Sequence, residues 1–188
     1  MHKNNCRRFA YEPIIGSGPN NAVLHYTANN RTIQAGEVIL CDVGAEYQMY
    51  AADLTRAFPV DGTFTQRQKD VHNVVQDMWQ ATVDMCKPGI TWAELNDKSK
   101  QVVDKAGFSD QNYHSLGHFL GLDVHDVGLN HKPLEPGMVI TIEPGIYIAN
   151  EHIGIRTEDD ILITETGCIN MSADLPRSAD EIEAFMAN

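Results

Sequence analysis

The chain has 188 residues, 43% hydrophobic and 21% charged, which is enough for one domain with a real core and is not the composition of a disordered segment. Its 14 Lys and Arg against 26 Asp and Glu give a formal charge of −12 and a pI near 4.9. That balance argues against nucleic-acid and anionic-membrane partners, both of which need clustered cations.

The first 60 residues read as short strands punctuated by Gly, Asn and Pro: FAYEPIIGSGPNNAVLHY, then EVILCDVG, then YAADLTRAFPV. From Thr65 the period becomes helical. Thr65 with Gln68 forms a capping box, and Val71, Val74, Val75, Met78 and Met85 make an apolar stripe that runs to the stop at KPG. A second helix follows, opened by a Thr91–Glu94 capping box, with Leu95, Val102, Val103 and Ala106 as its buried face and Gly107 as its C-terminal cap. Strands are expected again in HSLGHFLGLDVHDVG, GMVITIEPGIYIA and IGIRTEDDILIT, and LPRSADEIEAFMA reads as a short closing helix. No run of 18 apolar residues occurs and MHKNNCRRFA has no apolar stretch, so neither membrane insertion nor export is expected. Cys6, Cys41, Cys86 and Cys168 show no C-x-x-C spacing, and buried reduced thiols in a cytoplasmic protein are the expectation.

Two strand-rich stretches repeat one another. HYTANNRTIQAGEVILCDVG and HDVGLNHKPLEPGMVITIEPG share a leading His, an x-Gly-x-Val-Ile core, a carboxylate and a following Gly, aligning His25 with His125 and Asp42 with Glu143. This suggests an internal duplication with a site between two half-domains. If residues 38 to 58 form a hairpin, its midpoint between Tyr47 and Gln48 sets Asp42 opposite Asp53. The same logic, with a loop at ANEH, sets Glu143 opposite Glu158. Four carboxylates so gathered repel strongly, and two divalent cations would relieve them. A lone Asp in a strand is more often an edge or turn residue; the repeated pairs favour metal. His114, His118 and His125 supply candidate nitrogen ligands. The Gly residues around them and Ser115 at the second motif position discourage a His-Glu-x-x-His zinc helix.

Taken together, DVGAEYQMYAADLTR, HSLGHFLGLDVHDVG, EPGMVITIEPGIY and GIRTEDDILIT closely resemble the catalytic domain of Xaa-Pro aminopeptidases and prolidases, the proline-handling metallopeptidases of the pita-bread fold. The resemblance runs from about Phe9 to the C-terminal end. It implies an α+β class, with a pseudo-two-fold duplicated antiparallel sheet and helices on its outer face. It also implies a single catalytic domain over residues 1–188. The helices that precede the second half have no counterpart before the first, so the domain reads as N-terminally truncated, and a homo-oligomer or a partner chain is expected to cover the exposed first-half sheet.

The resemblance further places Asp42, Asp53, His118, Glu143 and Glu158 on five metal ligands, with Asp53 and Glu158 bridging two ions. His25, His114 and His125 fall on histidines that line the substrate site, Tyr147 on a site tyrosine, and Arg156 on an arginine near the bridging glutamate. Carboxylate-rich ligation suits Mn²⁺, with Co²⁺, Fe²⁺ and Zn²⁺ as alternatives. The implied reaction is hydrolysis beside proline in a peptide with proline near its N-terminus, by a hydroxide bridging the metals. Glu143 is the implied proton shuttle, and His125 and His25 position the peptide and stabilise the tetrahedral intermediate. His114, Tyr147 and Arg156 contact substrate; for Arg156 a structural salt bridge to a ligand carboxylate is the equal alternative. Prolidase or methionine aminopeptidase-like activity, and a non-catalytic protein-binding module, are the competing readings.

Overall fold

The computed structural model describes residues 5–187. Two long hairpins organise it. The first consists of β3 (Val38–Asp42), β4 (Ala45–Tyr47), β5 (Tyr50–Ala51) and β6 (Thr55–Pro59). One register runs its whole length, pairing Val38 with Pro59, Asp42 with Thr55, Glu46 with Ala51 and Tyr47 with Tyr50. The second consists of β7 (Val139–Ile142), β8 (Gly145–Ile148), β9 (Ile153–Arg156) and β10 (Asp159–Ile163). Its register is equally continuous, from Val139 opposite Leu162 to Ile148 opposite Ile153. Each hairpin bends at its middle, where regular pairing lapses for a few residues.

The register corrects one expectation and bears out another. Asp42 stands opposite Thr55, not Asp53, because the chain turns at Gln48 and Met49, both with positive φ (50° and 71°). A displacement of two keeps both aspartates on one face, since strand side chains alternate with period two. Gly44 sits at this bend, where a Cβ would lie 1.6 Å from the Ala52 carbonyl oxygen, so only glycine permits the approach. In the second hairpin the Thr157 amide donates to the Pro144 carbonyl, and the register carries Glu143 opposite Glu158 as the sequence suggests.

Shorter strands complete the sheets. β2 (Ile14–Ser17) pairs with β3, β1 (Arg8–Phe9) with β4, and β11 (Cys168–Asn170) with β10. The hairpins meet where Thr55 and Glu158 form an antiparallel bridge.

Two helices cover the second hairpin. In α1 (Gln66–Val83) and α2 (Trp92–Ala106) both capping boxes form as expected, and Gly107 caps α2 at φ 81°. Val71, Val75 and Met78 pack with Val103 on Ile146, Ile148, Ile153 and Ile155. Trp79, Trp92 and Leu95 pack on Ile140, Ile142 and Ile161. The face of α2 differs from the expected one: Trp92, Leu95, Ser99 and Val103 are buried, Val102 is half-buried and Ala106 is exposed. Met85 lies beyond the end of α1. The closing helix α3 (Ala179–Met186) begins at a Ser178–Glu181 capping box.

The stretch from His114 to Gly128 is an irregular segment and not the expected strand. Part of it still runs antiparallel to β7, with Thr141 N–H donating to the His118 carbonyl and Glu143 N–H to the Leu116 carbonyl. A Cβ on Gly117 would lie 2.0 Å from the Thr141 carbonyl oxygen; that closeness carries His118 to the bend of the second hairpin.

No α-helix precedes β3 among the described residues. Ile15, Ile39, Cys41 and Phe58 are half-buried, where the residues of β7, β8 and β9 are fully buried. Phe58 lies 6.4 Å from the ring of Phe185 in α3, so the first-half face is partly covered and not wholly bare. All four cysteines are free, but only Cys86 is buried; Cys6, Cys41 and Cys168 are partly exposed.

Candidate metal centre

The bends of the two hairpins face one another across a cavity of about 190 Å³. Asp42 ends β3 and Asp53 precedes β6; Glu143 follows β7 and Glu158 precedes β10. His118 enters from the segment beside β7. All five residues line this cavity, with His25, His114, His125 and Arg156. Three of them, Asp53, His118 and Glu158, present one ligand atom each within 4.8 Å of one another. Glu143 joins them through His118, whose Nε2 lies 3.5 Å from Glu143 Oε1 and 3.4 Å from Asp53 Oδ2. Asp42 stands at the edge, its Oδ2 accepting from Arg156 Nη2 at 2.5 Å.

Polar neighbours fix these groups. The Tyr11 hydroxyl reaches both Asp42 Oδ1 (2.5 Å) and Asp53 Oδ1 (2.6 Å). Thr55 Oγ1 donates to Glu158 Oε2 at 2.5 Å, and Thr141 Oγ1 accepts from the His118 amide and donates to Glu143. The His118 Nδ1 faces the Phe119 carbonyl at 3.0 Å, leaving Nε2 toward the carboxylates. Tyr11, Thr55 and Thr141 carry no sequence signal of their own; they matter because the register and the chain entry at β2 bring them here.

Arg156 is 3% exposed. Besides Asp42 it donates to Thr55 Oγ1 (3.1 Å) and the Tyr147 hydroxyl (2.8 Å), so its observed bonds are those of the structural alternative. Tyr147 is buried, and its hydroxyl lies 3.0 Å from His114 Nε2. His125 stacks edge-on against His118 at 4.2 Å. His25 is exposed at the cavity mouth.

The charges do not balance. Burial, with the neighbouring carboxylates, drives Glu158 well above the usual carboxylate range. Burial pushes Glu143 up to about 7, and it raises Asp42 against the pull of Arg156. Burial works against charge on His118 too, but its hydrogen bond to Asp53 raises it on balance. Burial and Arg156 push His114 down to about 4, which leaves it neutral. Four acidic side chains outnumber the one guanidinium and one imidazole among them, and an oxygen-rich donor set with one imidazole fits hard divalent ions.

The family described as metallopeptidase family M24 matches residues 1–165. The chain is 39% identical over 216 residues to the Xaa-Pro aminopeptidase of Escherichia coli (strain K12), covering 99% of this chain and 49% of that one. It is 39% identical over 205 residues to intermediate cleaving peptidase 55, mitochondrial, of Arabidopsis thaliana, covering 97% and 41%. Among solved structures it superposes on aminopeptidase P from E. coli with the inhibitor Pro-Leu at a TM-score of 0.93 and 36% identity, covering 99% of this chain and 49% of the other. The chain thus spans about half the length of these relatives.

Proposed function

The chain belongs to metallopeptidase family M24, and from that membership we propose that residues 1–188 form a pita-bread catalytic domain of the Xaa-Pro aminopeptidase type. Its substrate is a peptide with proline in second position. The observation that carries the reading is the convergence of Asp53, His118 and Glu158 within 4.8 Å at the bends of two hairpins, with Asp42 and Glu143 lining the same cavity.

In this proposal Asp42, Asp53, His118, Glu143 and Glu158 would hold two divalent cations, Mn²⁺ foremost. When bound, such a pair lowers the pKa of the attacking water and polarises the scissile carbonyl. Glu143 takes the water's proton and returns it to the leaving amine; its carboxylate lines the cavity, 3.3 Å from the Thr141 hydroxyl and 3.5 Å from His118 Nε2. His25 and His125, at the mouth, orient the peptide and donate to its carbonyl oxygen as negative charge develops there. Neutral His114, Tyr147 and Arg156 close the inner wall on the prolyl side. The half-buried face of Ile15, Ile39, Cys41 and Phe58 is the proposed seat of a second copy or a partner chain, and a cytoplasmic setting accords with four free thiols.

The test is metal content after purification without chelator, followed by turnover of Xaa-Pro-Yaa, Xaa-Pro and Met-Xaa peptides. Two divalent ions per chain and cleavage of the first class are expected. A metal-free protein that takes up no Mn²⁺, or cleavage of Met-Xaa alone, overturns the proposal.

A further inference from the structure

A second cavity, of about 270 Å³, adjoins the metal centre and shares Asp42, Asp53, His25 and His125 with it. Tyr11, Ile14 and Val124 give it apolar walls, and Glu12 and Thr27 stand at its exposed edge. Asp42 and Asp53 are already committed to Tyr11, and Asp42 to Arg156 as well. Glu12 is the other carboxylate of this lining, and its side chain forms no hydrogen bond or ion pair among the described residues.

We propose that this cavity receives the side chain of the peptide's amino-terminal residue and that Glu12 selects a cationic one, an arginine or lysine ahead of proline. The inference rests on the peptidase reading above.

A peptide whose scissile bond lies over the shared carboxylates extends into both cavities. The one over the metal centre ends on His114 and Arg156, both bonded to Tyr147. It suits a compact pyrrolidine ring, whose nitrogen has no N–H to satisfy. An exopeptidase substrate has one residue on the other side of the bond, and that residue falls to the second cavity. Tyr11, Ile14 and Val124 can cover the methylene stem of an arginine or lysine while the charged head stays at the wet edge, where Glu12 waits. An acidic side chain at that edge would face Glu12. Because Glu12 is exposed, the pair is screened, and the discrimination expected is about fivefold.

Cleavage of Arg-Pro-Yaa against citrulline-Pro-Yaa by the Mn²⁺-loaded protein tests this, because citrulline keeps the length of arginine without its charge. Wild type should favour the arginyl peptide about fivefold in kcat/KM, Glu12→Gln should bring the ratio to near one, and Glu12→Lys should invert it. A wild-type ratio near one, or one that Glu12→Gln leaves unchanged, overturns the inference while the peptidase reading stands. If no Xaa-Pro peptide is cleaved, that reading falls, and calorimetric binding of L-argininamide and L-citrullinamide decides the inference. A preference for L-argininamide that Glu12→Gln removes upholds it; equal binding or none overturns it.

Discussion

Thr55 and Glu158 hold each other twice: the Glu158 amide donates to the Thr55 carbonyl at 3.1 Å, and the Thr55 hydroxyl donates to the Glu158 carboxylate at 2.5 Å. One contact joins the backbones of the two hairpins and the other aims a proposed metal ligand. Groups that orient a ligand affect metal affinity by roughly 10–100-fold. Thr55→Val keeps the backbone bond and the shape but removes the hydroxyl. It should weaken Mn²⁺ binding by about tenfold or more in calorimetry, with a loss of about 1 kcal/mol in chemical denaturation. Undiminished Mn²⁺ affinity would show that the hydroxyl does not position Glu158.

Glu143→Ala should abolish hydrolysis, because it removes a proposed ligand and the proposed proton carrier together. Cys41→Ser, one residue from Asp42 but with its side chain on the opposite face of β3, should retain most of the activity. Steady-state turnover of both variants, with circular dichroism to confirm folding, checks the pair. Equal loss in the two would move the chemistry away from the carboxylates.

Chelation should destabilise the protein. Without cations the carboxylates at the bends face one another with Arg156 as their main counter-charge. Ligand binding to the native state alone adds RT ln(1 + [L]/Kd), about 2.7 kcal/mol at a hundredfold excess over Kd. The melting temperature should fall on EDTA dialysis and rise again with added Mn²⁺. A melt indifferent to both would argue against a structural stake of any ion in this site.

His72 sets an acid limit away from the site. It is 1% exposed, its ring lies 5.2 Å from that of Phe64 at a tilt of 52°, and its ring nitrogens have no side-chain partner among the described residues. Burial, with Arg56 nearby, pushes it down to about 4 from 6.5. A histidine depressed in the folded state is neutral there and protonates more readily when unfolded. Its contribution is therefore intact above pH 6.5 and is lost as pH falls toward 4, to a total of about 3 kcal/mol. Raised carboxylates at the site act in the opposite sense, so the readout is a difference: the gap in unfolding free energy between wild type and His72→Leu should shift by about that amount between pH 7 and pH 4. A gap independent of pH would show that His72 does not titrate with folding.

The legible parts of the sequence were those governed by short-range chemistry. Thr65 with Gln68 and Thr91 with Glu94 announce helix starts because the partners lie three residues apart and satisfy each other's backbones. Glu143 and Glu158 could be paired because the second hairpin turns in the ANEH loop. The Asp42 register was missed because Gln48 and Met49 adopt positive φ without the Asn or Gly that normally signals such a turn. The face survived that error, since two residues is a full strand period. Tyr11, which bridges both aspartates from 31 and 42 residues away, lies beyond any local pattern: the pairings of β1 with β4 and of β2 with β3 on either side of it deliver it. The motif resemblance named five residues that line one cavity, but not these supporting hydroxyls.

The unbroken registers also bear on the order of assembly. Each hairpin can zip from its own turn, Gln48–Met49 in one and 149–152 in the other, and neither needs its sibling to do so. Each holds only half of the acidic set, so like charges are kept apart until the Thr55–Glu158 seam closes. Docking is then the step at which repulsion rises, and a cation acts as a clasp on that step more than on the hairpins. Mn²⁺ should accelerate the late, cooperative phase of refolding in stopped-flow fluorescence and leave early strand formation by far-UV circular dichroism unchanged; acceleration of both alike would mean that the halves do not form separately.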